Sequence, residues 1–307
     1  MLESGCDKVL ACTGGGQLVR EGKTSSDDAT LISIITATYN AALYLPILIS
    51  SIREQTHKSF EWIVMDGNST DETVEILQAN SDVVDYWKSE PDKGIYSAWN
   101  KALRHASGEW ICFLGADDYL WSNDALARVA AVLKTLPEET QIAYGQVMLL
   151  GLDDAPLYAV GGPYELKPGQ RVDVMGLLPP HPGLMHRRAV FEARRGFDES
   201  FRIAGDTDLL VRELQRSPAY FIPNLIVVGM RQGGISSKPS NIFESLRELR
   251  RIQRKHGIRW SGVQLTLAWL RASVRWILWS VVGERLTRRA LDFGRKVLGK
   301  PAYWTRT

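Results

Sequence analysis

The chain has 307 residues, of which 45% are hydrophobic and 23% are charged. This composition excludes a wholly disordered protein, and the length suffices for one large α/β domain with an appendage or for two small domains. Three scattered cysteines exclude a disulfide framework and a cysteine zinc site, and they fit a reducing, cytoplasmic compartment. The net charge of +2 conceals an asymmetry, because residues 251–307 carry 13 basic and two acidic side chains, which leaves a net −9 on the remainder.

Short apolar runs alternate with helical spacing from residue 31 onward, after a polar leader at 1–29. In chain order they predict a strand at 31–38, a helix at 43–55, a strand at 60–65, a helix at 69–79 that opens with a hydroxyl cap, a strand at 83–87, a helix at 94–106 and a strand at 109–114. This alternation predicts an α/β fold with a mostly parallel central sheet flanked by helices. Ligands bind beyond the carboxyl ends of such strands, so the polar residues that follow them are expected to face one crevice.

The second half is less regular. It predicts a helix at 125–136, a strand at 142–150, helices at 187–195 and 206–216, a strand at 220–228 and a charged helix at 241–256. Residues 264–282 are almost wholly apolar and are interrupted by Arg271 and Arg275.

Asp117 and Asp118 follow the fourth predicted strand directly. Adjacent acids there are costly unless a positive group neutralises them, and Mg²⁺ or Mn²⁺ bridging a diphosphate would do so. The alternative is a turn or a helix cap. Asp66, after the second strand, has the same ambiguity: it either shapes a turn or accepts hydrogen bonds from a base or a ribose. No Gly-rich turn follows the first strand, so a dinucleotide cofactor is not supported.

Five ordered motifs together resemble family 2 glycosyltransferases with a GT-A fold, and in particular bacterial enzymes that build O-antigen or exopolysaccharide. They are TATYN (36–40), DGNSTDET (66–73), EPDKGIYSAWNKALRHASGEW (90–110), FLGADD (113–118) and GFDESFRIAGDTDLLVREL (196–214), followed by GGISS (233–237). The resemblance implies a catalytic domain at 30–238, with a nucleotide-binding half at 30–120 and an acceptor-side half at 121–238. A basic, Trp-rich helical region at 239–307 would follow.

The resemblance also assigns roles to residues. Those implied for the nucleotide are Thr36, Thr38, Tyr39, Asp66, Asp92, Lys93 and Asp117; Asp117 and Asp118 would hold the Mg²⁺ or Mn²⁺. Asp206 matches the general base that takes the acceptor's proton, which gives a single displacement with inversion. Asp208 is a rival base, and both acids also fit the first turn of an ordinary helix. His181 is either near the donor phosphates or acceptor, or structural.

Two positions depart from the family's pattern. Gly115 stands where an additional acid is often found two residues before Asp117, which puts metal affinity in doubt. Gly205 stands where a Glu often precedes the base. Residues 231–236 would form a loop over the site, with Gly233-Gly234 as its hinge.

The tail predicts contact with a membrane surface through residues 260–290. On one continuous helical wheel Gln264, Arg271, Arg275 and Arg289 fall within about 40°, and five of the ten tryptophans lie beyond residue 259. Two central arginines disfavour a spanning helix, whereas a helix lying in the headgroup region fits. The alternative is a helix packed on the body or on another subunit. The apolar run is too continuous for nucleic-acid binding.

The sequence thus predicts an inverting transferase that moves a sugar from a nucleotide-diphosphate donor, UDP-sugar favoured, to a glycan or polyprenyl-linked acceptor at the inner face of the cell membrane. Two rivals stay open. One is a non-catalytic nucleotide-sugar or glycan-binding protein, which Gly115 and Gly205 make plausible. The other is a sugar nucleotidyltransferase, although TATYN is not its expected Gly-rich, basic phosphate loop.

Overall fold

The computed structural model describes residues 31–151, 153–166, 172, 178–192, 196–231, 234, 241–258, 262–297, 299 and 305. The predicted leader therefore lies outside the described residues. The strands are β1 (Ile32–Thr38), β2 (Phe60–Asp66), β3 (Tyr86–Ser89), β4 (Trp110–Gly115), β5 (Tyr119–Leu120), β6 (Ile142–Leu150), β7 (Pro156–Val160), β8 (Met185–Arg187) and β9 (Tyr220–Arg231). The helices are α1 (Leu45–Arg53), α2 (Thr73–Ala79), α3 (Ile95–Leu103), α4 (Ala125–Leu133), α5 (Ala189–Glu192), α6 (Gly205–Leu214), α7 (Ile242–Lys255), α8 (Gly262–Val281) and α9 (Glu284–Val297).

The first half of the sheet is parallel, in the order β3-β2-β1-β4. The register aligns the strand ends, because Thr38 pairs with Asp66 and Ala37 pairs with Gly115. The polar residues that follow β1, β2 and β4 therefore emerge at one edge, as the sequence predicts.

These strands are apolar on both sides because each sheet face is covered. Helices α1 and α4 pack on one face, where they share a core with β1, β2 and β4. Helices α3 and α6 pack on the other. This burial explains why the strands read as continuous apolar runs rather than as alternating patterns.

The second half of the sheet is mixed. Beyond β4 the order is β8-β6-β9-β5, with β7 on β6. Among the strands that the structure describes here, β6 and β9 run parallel and the other pairs are antiparallel. Strands β5, β7 and β8 were not predicted; β8 overlaps the start of the helix predicted at 187–195. The predicted α/β class, with a mostly parallel sheet flanked by helices and with C-terminal helices, is confirmed.

Two local predictions need correction. The helix predicted from residue 69 begins at Thr73 without a side-chain cap, because the Ser69 hydroxyl instead donates to Asp66. Strand β3 covers Tyr86–Ser89 rather than 83–87, since the backbone N–H groups of Val83 and Val84 bond back to the carbonyl of Asn80 in a turn.

The C-terminal region contains three helices. Helix α7 contacts α6, and Ile252 and Ile258 join the main core on that face, so this helix packs as a part of the α/β unit. Helix α8 ends at Val281, and Gly283, at φ +84°, separates it from α9. A single helical wheel through Arg289 is therefore wrong, because Arg289 lies on another helix. In the part of the chain that is described, no helix is both long and apolar enough to cross a bilayer.

Candidate active site

A cavity of about 850 Å³ opens at the carboxyl edge of the parallel strands. Its walls come from the ends of β1 and β4, the loop before α3, the segment before α6, and Gly234. A second cavity of about 580 Å³ adjoins it and shares part of its lining. The shared residues are Ala37, Tyr39, Asp92, Gly94 and Ile95.

Two carboxylates converge beside this cavity. Asp117 lines it, and Asp118, immediately behind, is buried and accepts a hydrogen bond from the Gly115 N–H at 3.0 Å. A Cβ atom added to Gly115 would lie 2.8 Å from Oδ1 of Asp117 and 2.8 Å from Oδ2 of Asp118. Both oxygens thus approach one point in front of residue 115, and a residue with a side chain there would force them apart.

Burial makes the ionised form of these two carboxyl groups unfavourable in the absence of a neighbouring cation. Burial raises the pKa of Asp117. Burial, followed by the neighbouring Asp117 charge, raises the pKa of Asp118 to about 8. A cation at the point of convergence would reverse that effect.

A divalent metal fits the pair, although the described residues include no cluster of three His, Cys, Asp or Glu side chains suited to a metal. Mg²⁺ and Mn²⁺ are commonly held by one or two carboxylates, and phosphate and water oxygens complete the coordination. Convergent oxygens of Asp117 and Asp118 meet that requirement.

Arg231, the last residue of β9, holds the loop that carries the acids. Its guanidinium donates to both carboxylate oxygens of Asp154 at 2.5 and 3.0 Å, and to the backbone carbonyl of Asp117 at 2.7 Å. The sequence placed Arg231 in a loop over the site, whereas its side chain is buried beneath it. Of the remaining residues of that predicted loop, only Gly234 lies within the described residues.

Asp66 is brought to the strand ends but not to the cavity surface. The buried carboxylate accepts hydrogen bonds from the hydroxyls of Thr38 at 2.9 Å, Ser89 at 2.6 Å and Ser69 at 2.5 Å, and from the Ser69 N–H at 2.9 Å. It therefore ties β1, β2 and β3 together, and it lines neither cavity.

The other predicted nucleotide residues divide into two groups. Thr36 is fully buried and accepts a hydrogen bond from the Trp62 indole at 3.1 Å, so it does not reach the cavity. Thr38 lines the smaller cavity, and Tyr39, 66% exposed, lines both.

Asp92 and Lys93 both line the main cavity. Asp92 accepts a hydrogen bond from the Gly94 N–H at 2.7 Å. Its other oxygen would lie 2.8 Å from a Cβ on Gly67, so the loop before α3 closes against the end of β2. Lys93 is exposed and lines the same cavity as Asp117.

Asp206 lies in the first turn of α6 and lines neither cavity, although residues 199–202, a few positions earlier in the chain, form one wall of the main cavity. The Asp206 side chain is half-buried. Its Oδ1 accepts a hydrogen bond from the Thr207 N–H at 2.7 Å, and the Tyr96 hydroxyl lies 3.2 Å from the same oxygen. Burial, and next the Asp206 charge, raise the pKa of Tyr96 far above its usual range.

The structure does not bring Asp208 or His181 to the cavity. Asp208 is 1% exposed and accepts hydrogen bonds from Lys255 at 2.9 Å and His256 at 2.8 Å, so it serves the packing of α6 on α7. His181 is buried against the Trp99 ring, and burial lowers its pKa. These partners could not be read from the sequence because they lie far away along the chain.

The α/β fold and the acidic pair beside a cleft are the arrangement expected of transferases that take a phosphate-bearing nucleotide donor. The family follows from similarity. Residues 33–158 match the family model described as glycosyl transferase family 2. A PGL/p-HBAD biosynthesis glycosyltransferase of Mycobacterium bovis is 33% identical over 187 residues, which cover 60% of this chain and 70% of that protein. The chain belongs to glycosyl transferase family 2, and is thus a nucleotide-sugar-dependent enzyme of an inverting family.

Further similarities extend along the chain. An uncharacterized glycosyltransferase of Mycobacterium tuberculosis is 28% identical over 246 residues, covering 79% of this chain and 91% of that protein. Among solved structures, S. aureus TarS 1–349 in complex with UDP-GlcNAc has a TM-score of 0.56 at 16% identity, covering 86% of this chain and 77% of that one. The mannosyltransferase PcManGT from Pyrobaculum calidifontis, in complex with GDP-Man and Mn²⁺, has a TM-score of 0.55 at 18% identity, covering 84% and 74%. These structures share the fold, which confirms the GT-A prediction.

Proposed function

We propose that the main cavity binds a nucleotide-diphosphate sugar, UDP-sugar favoured, and that the sugar passes to a glycan or polyprenyl-linked acceptor in cell-surface polysaccharide biosynthesis. The observation that carries this proposal is the convergence of the Asp117 and Asp118 oxygens beside a cleft large enough for such a donor. The TarS complexes with UDP and UDP-GlcNAc and the PcManGT complex with GDP-Man and Mn²⁺ support the donor class.

The donor's parts find matching chemistry around the cavity. Tyr39 and Thr38, which line the smaller cavity, offer a ring face and a hydroxyl to the nucleoside. Asp117 and Asp118 would hold Mg²⁺ or Mn²⁺, which when bound neutralises charge on the diphosphate. Lys93 adds a point charge to the same leaving group, and Asp92 braces the loop that carries it. Asp66 contributes indirectly, because it accepts the hydrogen bond of the Thr38 hydroxyl and so fixes the orientation of that hydroxyl.

Asp206 is the proposed general base. It takes the proton of the acceptor hydroxyl as that oxygen attacks the anomeric carbon from the face opposite the departing diphosphate. A single attack inverts the configuration, and no covalent partner is needed. Its place in the first turn of α6, four residues after the cavity wall formed by residues 199–202, supports this role, whereas Asp208 is engaged by Lys255 and His256.

Donor screening tests the proposed function. Thermal stabilisation is measured with UDP-, dTDP- and GDP-sugars, each with and without Mn²⁺, because a ligand that binds the folded state alone raises the melting temperature. We expect a UDP-sugar to give the largest shift, and the shift to need both metal and Asp118. Release of nucleoside diphosphate with an acceptor then separates a transferase from a binding protein. Absence of stabilisation by every nucleotide sugar would refute the proposal.

We further propose that α8 and α9 lie on the inner face of the cell membrane. Exposed apolar side chains recur at a spacing of three and four along α8, namely Leu267, Leu270, Val274, Ile277 and Val281. On α9, Leu286, Phe293 and Val297 share one exposed face, with Arg289 and Lys296 beside them. A second copy of the chain would meet the same positive charge, whereas an anionic lipid surface complements it.

A further inference from the structure

The segment that leads into α6 is held from behind by a carboxylate of α7. Glu248 is buried, and it accepts hydrogen bonds from the backbone N–H groups of Arg202 at 2.7 Å, Ile203 at 2.9 Å and Ala204 at 2.8 Å. Charge-assisted hydrogen bonds are the strong ones, and three of them converge here on one side chain. The segment ends two residues before Asp206.

The same segment is held from the front by a tyrosine of α3. The buried hydroxyl of Tyr96 donates to the Ile203 carbonyl at 2.7 Å and lies 3.2 Å from Oδ1 of Asp206. Gly205 makes this approach possible, because a Cβ there would lie 2.8–2.9 Å from three ring atoms of Tyr96. The glycine that departs from the family's pattern is therefore the residue that admits the ring.

We propose that Tyr96 and Glu248 are positioning residues that clamp the 202–204 segment and orient Asp206 toward the acceptor. Thr207 and Tyr96 both contact Oδ1 of Asp206, which leaves Oδ2 to accept the proton. This inference rests on the proposed role of Asp206 as base.

Small displacements of this segment have large consequences for turnover. A misplacement of about 1 Å can cost about 100-fold in rate. Residues 199–202, immediately before the clamped segment, form the cavity wall. Loosening the clamp would therefore move the wall and the base together, while Tyr39, Lys93 and Asp117 on the donor side stay in place.

Tyr96→Phe tests the front of the clamp against a matched control. Tyr144 is also buried, and its hydroxyl donates at 2.7 Å to the backbone carbonyl of Gly162, which lies far from the 202–204 segment along the chain. Both Phe variants lose a comparable hydrogen bond. We expect Tyr96→Phe to lower kcat about tenfold with the donor KM changed less than about twofold, and Tyr144→Phe to leave kcat unchanged.

Glu248→Gln tests the back of the clamp. Glu244→Gln is the control, because Glu244 is exposed one turn earlier on the same helix. We expect Glu248→Gln to lower kcat at least as far as Tyr96→Phe, again with little change in the donor KM, while Glu244→Gln behaves as the parent enzyme. If the Glu248→Gln variant does not fold, the kcat of the Tyr96→Phe variant alone tests the clamp.

The outcomes distinguish this inference from the proposed function. Unchanged kcat per folded molecule in Tyr96→Phe and Glu248→Gln, with only the melting temperature lowered, overturns the clamp. The same assay on Asp206→Asn tests the base: full turnover there overturns the base assignment, and the clamp with it. Lost turnover in Asp206→Asn beside normal clamp variants overturns the clamp alone.

Discussion

At the residue scale, two glycines set the geometry of the site. Gly115 and Gly205 both stand where acids are often found in the family, and both occupy places where a side chain would collide with a functional group. Gly115 faces the two carboxylates, and Gly205 faces the Tyr96 ring. The structure thus has a packing reason for both glycines, and the absence of acids at these two positions does not by itself indicate a non-catalytic site.

Gly115→Ala follows directly from this contact. The added methyl group would lie 2.8 Å from an oxygen of each acid, so Asp117 and Asp118 must separate and metal-dependent turnover should fall by about tenfold or more. Gly162→Ala is the control, since nothing lies within 4 Å of its Cβ position. Turnover and Mn²⁺ titration are measured on both; equal values would contradict the account of the acidic pair.

The burial of His186 predicts that the stability of the chain depends on pH. Burial, followed by the nearby charges of His181 and Arg212, lowers the pKa of His186 well below 6.5. As pH falls below about 6.5, the unfolded chain takes up a proton that the folded chain does not, so the free energy of unfolding decreases. His186→Phe should shrink the drop in melting temperature between pH 7.5 and pH 5.5. If the fall in melting temperature is the same in the variant as in the parent, groups other than His186 cause the pH dependence.

At the element scale, the start of α3 positions the loop that carries Asp92 and Lys93. Gly94 has φ +117°, a backbone conformation that other residues adopt only at a cost, and its N–H bonds Asp92 at 2.7 Å. Gly94→Ala should strain the loop that carries Lys93 and weaken donor binding about tenfold or more, because a side chain in this positive-φ region costs about 1–3 kcal/mol and about 1.4 kcal/mol corresponds to tenfold. Donor affinity by calorimetry tests this. An affinity equal to that of the parent would contradict the role given to the loop.

The long central strands could be predicted from the sequence, and the short strands could not. Strands β1, β2, β4 and β6 were predicted because each is a continuous apolar run bounded by polar residues. Strands β5, β7 and β8 have two to five residues. The pairing of β5 with β9 and of β8 with β4 and β6 depends on partners far along the chain, whereas β7 pairs with the neighbouring β6 and begins with Pro156. Local pattern therefore carried little information about them.

The same limit applies to the site. Asp92, Lys93, Tyr39 and Asp117 were expected at a common crevice and line one cavity, because strand order alone brings them there. Burial of Thr36 and Asp66 could not be predicted, since it depends on Trp62, Ser69 and Ser89. Glu248, Tyr96 and the buried position of Arg231 likewise depend on tertiary contacts. The one available signal for the clamp was Gly205, a small residue in place of an acid.

At the scale of the whole molecule, charge and exposed apolar surface gather on the C-terminal helices. Phe293 and Val297 are each 70% exposed beside Arg289 and Lys296. The proposed membrane contact predicts flotation with vesicles that contain anionic lipid and little flotation with zwitterionic vesicles. Phe293→Ser with Val297→Ser should weaken flotation about tenfold, since each removes exposed apolar area available to lipid.

The matched control is Tyr220→Ser, at an exposed position at the start of β9, which should float as the parent does. Lipid-independent self-association that needs Phe293 would instead assign this face to a second copy of the chain. Equal flotation of all variants would contradict a membrane role for α9.

We expect Asp206, and not Asp208, to take the acceptor's proton in a site that binds the donor through other residues. The most direct measurement compares Asp206→Asn with Asp208→Asn in steady-state turnover and in donor binding. The account predicts that Asp206→Asn loses about 10²–10⁴-fold in kcat with donor affinity retained. Asp208→Asn should lose stability through its contacts with Lys255 and His256 but keep its turnover per folded molecule. Wild-type turnover in Asp206→Asn would contradict the account.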